Sequence, residues 1–384
     1  MKVEQIYKLM NTVTSEILGD SVVVSEDLSN VVDIGVAIMN ANALDNYVRS
    51  LVNHIGKVVF VNRVYRGGAP SVLMDGWEYG SILEKISMEL PDVEINETWT
   101  LEDRTSYDPN IFYKPKVSAK FFNKRVTFEI PISITERQVK ESFSNAMQLN
   151  GFISMIYNGV ENAMTVNIDA LVMRTINNMI AETIHAEYND VELNSKSTVK
   201  AVNLLKLYND ANNTKLTGEV AIKTPEFVRF ASLVMRNYID RLSKISTLFN
   251  IEGKERFTPR DLLHVVMLAD FKNSAETYLQ SDTFHDEYTA LPNAETVPYW
   301  QGSGEDFGFG SISEIIVNTA SGNKVEATGI LAVMFDRDAL GVANLDRRVT
   351  TNYNAKAEFW NNYNKFEAGY FNDLAENFVV FFAE

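Results

Sequence analysis

The residues whose types and spacing could do chemistry stand in TGILAVMFDRDALGVA, residues 328–343, where Asp336, Arg337 and Asp338 follow an apolar run from Ile330 to Phe335. If the strand ran on through Arg337, both carboxylates would share one face, because alternate residues of a strand point the same way. Two neighbouring carboxylates do acid and base work when their surroundings split the two pKa values. No histidine or glutamate motif stands beside them to complete such a site. The expected reading is a buried strand that ends in a charged turn.

The remaining candidates are weaker. The four histidines, His54, His185, His264 and His285, lack the short ligand spacings of a zinc site such as HExxH. His285-Asp286-Glu287 reads as a solvated helix end rather than a cation site. Gly302, Gly304 and Gly308 form G-x-G-x-x-x-G, one residue longer than the dinucleotide fingerprint. The strand-like SISEIIVNT follows them where that fingerprint needs a helix. There is no Walker A sequence and no G-x-S-x-G elbow. With no cysteine, disulfides, thiolate metal sites and thiol nucleophiles are excluded. The expectation is a chain with no catalytic residue, no cofactor and no metal.

Around these residues stands a chain of 384 residues, 46% hydrophobic and 22% charged, the balance of a folded globular protein. Its 35 Lys+Arg against 51 Asp+Glu give a net charge of −16 with no basic run. A tight grip on nucleic acid needs local positive charge to displace counterions, so only weak, nonspecific contact with DNA is expected. No segment approaches the ~20 apolar residues of a membrane span, and the N-terminus lacks the apolar core of a signal peptide.

Periodicity divides the chain. Val3, Ile6, Tyr7, Met10, Val13 and Ile17 recur at helical spacing, as do Leu44, Tyr47, Val48, Leu51, Val52 and Ile55, with an irregular or strand-like join between them. An apolar stripe of this kind needs a surface to lie on. From Lys57 to Pro131 the texture is a two-armed β excursion, with arms at Val58–Val64 and Val117–Ile130 and a Gly-rich tip. A lone pair of strands is marginal in water, so the excursion needs packing from elsewhere. Thr135 and Gln138 fit a capping box, opening helical signal that runs to about His185 with a bend or restart near Gly159. Pro225 opens a further helix. Leu262 to Leu268 reads as a buried strand feeding a helix, and Phe378 to Phe382 as a central strand.

This order of elements resembles the major capsid protein of tailed bacteriophages, an α+β chain with the Hong Kong 97-like fold. GILAVMFDRDALGV with RRVTTNYNAKAEFWNNYNKFEAGYFNDLAENFVVFF is similar to the family's return through its peripheral domain. FTPRDLLHVVMLADFKNSAETYLQSDTF is similar to its axial domain. The resemblance implies an N-terminal arm over 1–56, an extended loop over 57–130, and a spine helix with the first part of the peripheral domain over 131–194. It further implies an axial domain over 195–328 and a return through the peripheral domain over 329–384.

In function it implies self-assembly into pentamers and hexamers of a head shell enclosing double-stranded DNA, in a virion built in the host bacterial cytoplasm. A separate scaffolding protein and a portal are the implied partners, the first 56 residues being too few for a fused scaffolding coiled coil. Subunit contacts are expected at Arg66, Gly67, Gly68 and Trp77 on the loop and at Asp336, Arg337 and Asp338 on the turn. No Lys and Asn pair is assigned to the covalent cross-link that some members form. An encapsulin-like compartment around protein cargo is the rival within the fold, and a soluble enzyme is the rival outside it.

Overall fold

The computed structural model describes residues 3–18, 24–25, 30–40, 46–47, 50, 70–74, 83–93, 103–104, 110–137, 146–189, 191–282, 294–300, 315–320 and 322–384. Helices whose bounds fall among the described residues are α1 (Val3–Leu18), α2 (Val31–Asn40), α3 (Ala146–Tyr188), α4 (Leu204–Asn212), α5 (Gly218–Ala221), α6 (Pro225–Leu242) and α7 (Ala269–Asp282). The strands are β1 (Leu73–Met74), β2 (Leu83–Met88), β3 (Val117–Phe122), β4 (Arg125–Thr135), β5 (Ala201–Asn203), β6 (Leu263–Leu268) and β7 (Glu295–Val297), then β8 (Ile315–Asn318), β9 (Lys324–Ala327), β10 (Ile330–Asp336), β11 (Leu340–Asn354), β12 (Phe359–Asn372) and β13 (Phe378–Phe382). They fall into two compact units. One holds Met1–Gly76, Arg125–Arg174 and Val342–Gly369; the other holds Trp77–Lys124, Thr175–Gly341 and Tyr370–Glu384.

The second unit is built on a five-stranded sheet in the order β5-β13-β10-β6-β7. Every residue of β10 and β13 is buried. That is why ILAVMF, before Asp336, and FVVFF read as continuous apolar runs instead of alternating ones: a strand covered on both faces has no polar side. β13 lies antiparallel to β10, with Val333 opposite Val380, and parallel to β5, with Val380 opposite Ala201. Tyr238 of α6 meets Phe381 edge-on at 5.2 Å, and Phe335 stacks between His264 and Phe378. Gly329, at φ +64°, sits where a Cβ would lie 2.4 Å from the Ala383 carbonyl oxygen, so only glycine lets the chain enter β10 beside the C-terminal strand. This sheet joins β5 and β6 to β10 and β13 and so crosses residue 328, the boundary expected between axial domain and peripheral return.

The first unit carries the sheet β1-β11-β12-β4. β4 and β12 pair from Arg125 opposite Gly369 to Thr135 opposite Phe359. Val126, Phe128, Ile130, Ile132 and Ile134 alternate with exposed residues along β4, the pattern of a strand with one covered face. Phe128 stacks on Phe366 at 4.9 Å, and Tyr353 lies 5.0 Å from Trp360.

Several expectations are corrected. The segment between the two N-terminal helical patterns holds α2, although Val31, Val32 and Val36 favour strand; Asn30 accepts the Ile34 N–H, and Ile34 and Ile38, one turn apart, are buried. The helix expected from Leu44 to Ile55 falls mainly outside the described residues. The stripe of α1 finds cover in its own unit: Met10 and Val13 are fully buried, and the Tyr47 hydroxyl lies 3.3 Å from Met10 Sδ. β4 ends at Thr135 and Glu136 is already helical, so Thr135 does stand at a helix start, while Gln138 is outside the described residues.

α3 continues unbroken through Gly159. A mid-helix glycine costs about 1 kcal/mol, less than the burial of its neighbours Ile156 and Val160 returns. The long β arm expected over Val117–Ile130 is two strands with separate partners: β3 pairs with β2, and β4 with β12. Val58–Val64, the other expected arm, lies outside the described residues.

Candidate assembly site

β2 and β3 form an isolated two-stranded sheet with register Leu83–Phe122, Lys85–Lys120 and Ser87–Ser118 on one face, and Glu84–Phe121, Ile86–Ala119 and Met88–Val117 on the other. Apart from Glu84 at its end, the second face is apolar and points to solvent: Ile86 is 66% exposed, Phe121 63%, Val117 58% and Met88 56%. Beyond the strands, Leu90, Val93, Ile111, Phe112 and Tyr113 are exposed as well. The four strand residues are neighbours by register, and an exposed apolar cluster of this kind marks an interaction site, since isolated surface apolar residues are common but clusters are not.

The polar face points inward. Lys85 Nζ donates all three of its hydrogens, to Asp373 Oδ2 at 2.8 Å, Glu376 Oε1 at 2.7 Å and the Asp338 carbonyl at 3.2 Å. Lys120 Nζ donates to Asp373 Oδ1 at 2.8 Å and Glu252 Oε1 at 2.6 Å. Arg256 Nε reaches Glu376 at 3.2 Å, and Lys254 pairs with Glu89 at 2.8 Å. Charge therefore alternates along Glu252, Lys120, Asp373, Lys85, Glu376 and Arg256. Asp373 is at the centre, its side chain 2% exposed. Burial pushes its carboxyl up, but hydrogen bonds from Lys120 and Lys85 outweigh that and hold it below the usual carboxylate range. Desolvation likewise pulls Lys120 down, and its bonds to Asp373 and Glu252 more than restore it. One ring contact accompanies the charges, Phe122 against Phe371 at 5.1 Å.

The turn at Asp336 differs from the expectation of an exposed charged end. Asp336 is the last residue of β10 and is buried, while Arg337 and Asp338 are exposed. The strand does not run on, so the two carboxylates do not share a strand face. Asp336 Oδ1 accepts the Asp338 N–H at 2.9 Å, and the Ala339 N–H closes on the Asp336 carbonyl, which makes the aspartate the brace of the turn. Burial, the dominant effect, raises its pKa against hydrogen bonds from Asp338 and Thr258 that lower it.

His185 meets Asn323 at 3.0 Å at the end of α3, and His264 lies in β6, its pKa lowered by burial. Among the described residues no group of three or more His, Cys, Asp or Glu could hold a metal ion, and no helix is long and apolar enough to cross a membrane. His54, His285, the glycines at 302, 304 and 308, and the proposed contacts Arg66, Gly67, Gly68 and Trp77 lie outside the described residues. Sequence reasoning missed Lys85, Lys120, Asp373 and Glu376. Its one available signal was the alternation in LEKISM, and the usual rule would have turned the apolar side inward.

The fold is that of phage capsid subunits of the Hong Kong 97-like class. The chain matches the capsid structure of Staphylococcus phage Andhra with TM-score 0.50 at 10% identity, covering 84% of this chain and 86% of that one. It also aligns with a chain in the structure of head fiber and inner core protein gp22 of native bacteriophage P68 (TM-score 0.47, 10% identity, 82% and 83% covered). A third alignment is with the capsid of Cyanophage P-SCSP1u (TM-score 0.44, 11% identity, 85% and 92% covered). The model of the Phi29-like phage major capsid protein family matches residues 10–382, and the chain belongs to that family. It is a head-shell protein. No curated protein matches it.

Proposed function

We propose that copies of this chain assemble into the pentamers and hexamers of a head shell enclosing double-stranded DNA, each laying the apolar face of β2–β3 on a neighbouring copy. The observation that carries this reading is the inverted hairpin: Ile86, Met88, Val117 and Phe121 face solvent while Lys85 and Lys120 face the subunit. A fold that buried its apolar surface only within one chain would turn the strands over. Arg337 and Asp338, exposed on the β10–β11 turn, are proposed contacts between subunits, as are Arg66, Gly67, Gly68 and Trp77.

Within this reading residues 1–56 remain the N-terminal arm and 57–130 the extended loop, of which β2–β3 is the stem. Residues 131–194 remain the spine helix with the first part of the peripheral domain, 195–328 the axial domain and 329–384 the return through the peripheral domain, the five-stranded sheet drawing β5, β6 and β7 from the axial span and β10 and β13 from the return. The net charge of −16 favours weak, nonspecific contact with packaged DNA. A scaffolding protein and a portal are the further partners, the chain being made in the host bacterial cytoplasm. No catalytic step is assigned to it; the Asp336 carboxylate is engaged in bracing its turn. The family match favours a phage head over an encapsulin-like compartment. Size-exclusion chromatography with light scattering tests the proposal. Pentamers, hexamers or closed shells are expected, and a monomer at every concentration, with or without scaffold, would refute it.

A further inference from the structure

We propose that the polar face of β2–β3 is an electrostatic latch: Lys85 and Lys120 hold the arm on its own subunit by seating in a carboxylate cage of Asp373, Glu376 and Glu252, and neutralising or screening that cage releases the arm without unfolding the subunit. The proposal rests on the reading of this hairpin as the assembly arm and assigns the residues that position it.

The chemistry of the contact carries the inference. An element meant to stay in place permanently is best fixed by apolar burial, which is not reversed by ordinary changes of pH or salt. Here Ile86, Met88, Val117 and Phe121 are on the outer face, and the inner face, with a single apolar pair in Leu83 and Phe122, holds cross-strand lysines that would repel each other without anions between them. In a half-buried ion-pair chain the cost of desolvation offsets much of the Coulombic gain. The contact therefore fixes a geometry strongly while adding little net stability, the property of a latch.

Among the described residues, the charged groups facing the cage come from four elements. Lys85 and Lys120 come from the hairpin, with Glu89 at its edge. Glu252, Lys254 and Arg256 come from the loop after α6, Asp373 and Glu376 from the β12–β13 turn, and Asp336 and Asp338 from the β10–β11 turn. The sign of the pH effect follows from Asp373. Its pKa is depressed in the folded state, so its stabilisation is complete above the ordinary carboxylate value of about 3.9 and is lost as pH falls through the lowered value. At the other limit Lys120, raised in the folded state, keeps its contribution below the ordinary lysine value of about 10.4 and loses it above. Molar salt, with a screening length of about 3 Å, acts first on the Lys120–Glu252 pair, about a third exposed on each side.

Amide hydrogen exchange of the full-length unassembled subunit tests the latch. With Lys85→Met and Lys120→Met together, exchange in β2 and β3 should rise about tenfold or more relative to β13, because a released two-stranded sheet is marginal by itself. Protection in β10 and β13 should hold. The same ratio should rise in the unaltered protein in molar salt and below about pH 4, which keeps the test valid if the double variant does not fold. Unchanged protection in β2–β3 would overturn the latch, and so would equal loss in β10 and β13, since the cage would then be a brace of the core. A protein that forms shells with unchanged hairpin exchange refutes the latch alone. A monomer at every concentration whose hairpin is released by salt refutes the assembly reading alone.

Discussion

Replacing Ile86 and Phe121 together by threonine separates folding from assembly. Both side chains are about two thirds exposed in the subunit, at 66% and 63%, so the subunit's own fold buries little of either. Threonine keeps a strong strand preference, which leaves the hairpin intact. Full burial of such an apolar side chain is worth about 1.5 to 3 kcal/mol, so covering the exposed two thirds contributes about 1 to 2 kcal/mol per residue. Losing both should weaken each contact between copies by about 2 to 4 kcal/mol, or about 30- to 900-fold in its association constant. The stability of the subunit should stay within about 0.5 kcal/mol, as for surface substitutions generally. Light scattering gives the concentration at which shells appear, and circular dichroism gives the unfolding midpoint. Assembly at the original concentration would refute the reasoning, and so would a fall in the midpoint that accounts for the loss of assembly.

Three further outcomes are expected. Asp336→Asn keeps the acceptor for the Asp338 N–H and removes a charge whose pKa burial has raised, so its advantage over the unaltered protein should grow as pH rises from about 4 through that raised value, measured by urea unfolding at several pH values. Asp336→Ala removes the acceptor and should cost about 1 kcal/mol at neutral pH, with shell formation otherwise preserved; equal stability of the two variants would contradict the turn-brace role. Gly329→Ala combines a left-handed backbone with a Cβ 2.4 Å from the Ala383 carbonyl, and thermal unfolding should show a loss of about 2 kcal/mol or more, an unchanged midpoint being the contrary result.

The elements legible in the sequence are those that owe their form to their own residues. LLHVVML, apolar but for His264, and FVVFF, apolar throughout, each follow a polar residue, so β6 and β13 are readable as buried strands without knowledge of their partners. Pro225 marked the first turn of α6 for a local steric reason. The parts that were not legible depend on distant residues. α2 overrides its β-branched composition because Ile34 and Ile38 find cover. The division of the long arm at Asn123 and Lys124 appears only once β4 has β12 to pair with. The cage at Lys85 joins residues 288 and 291 positions away, and nothing local distinguishes that lysine from a solvated one. The turn at Asp336 was placed correctly but its inner member was not, since a strand that stops and a strand that runs on differ by one hydrogen bond to Asp338.

Electron microscopy of shells formed by the full-length chain tests the central claim most directly, because it shows what covers the outer face of β2–β3. The account predicts that Ile86, Met88, Val117 and Phe121 lie against a neighbouring copy in every ring, with Lys85 and Lys120 still turned toward their own subunit. Shells in which that apolar face remains open to solvent would contradict it.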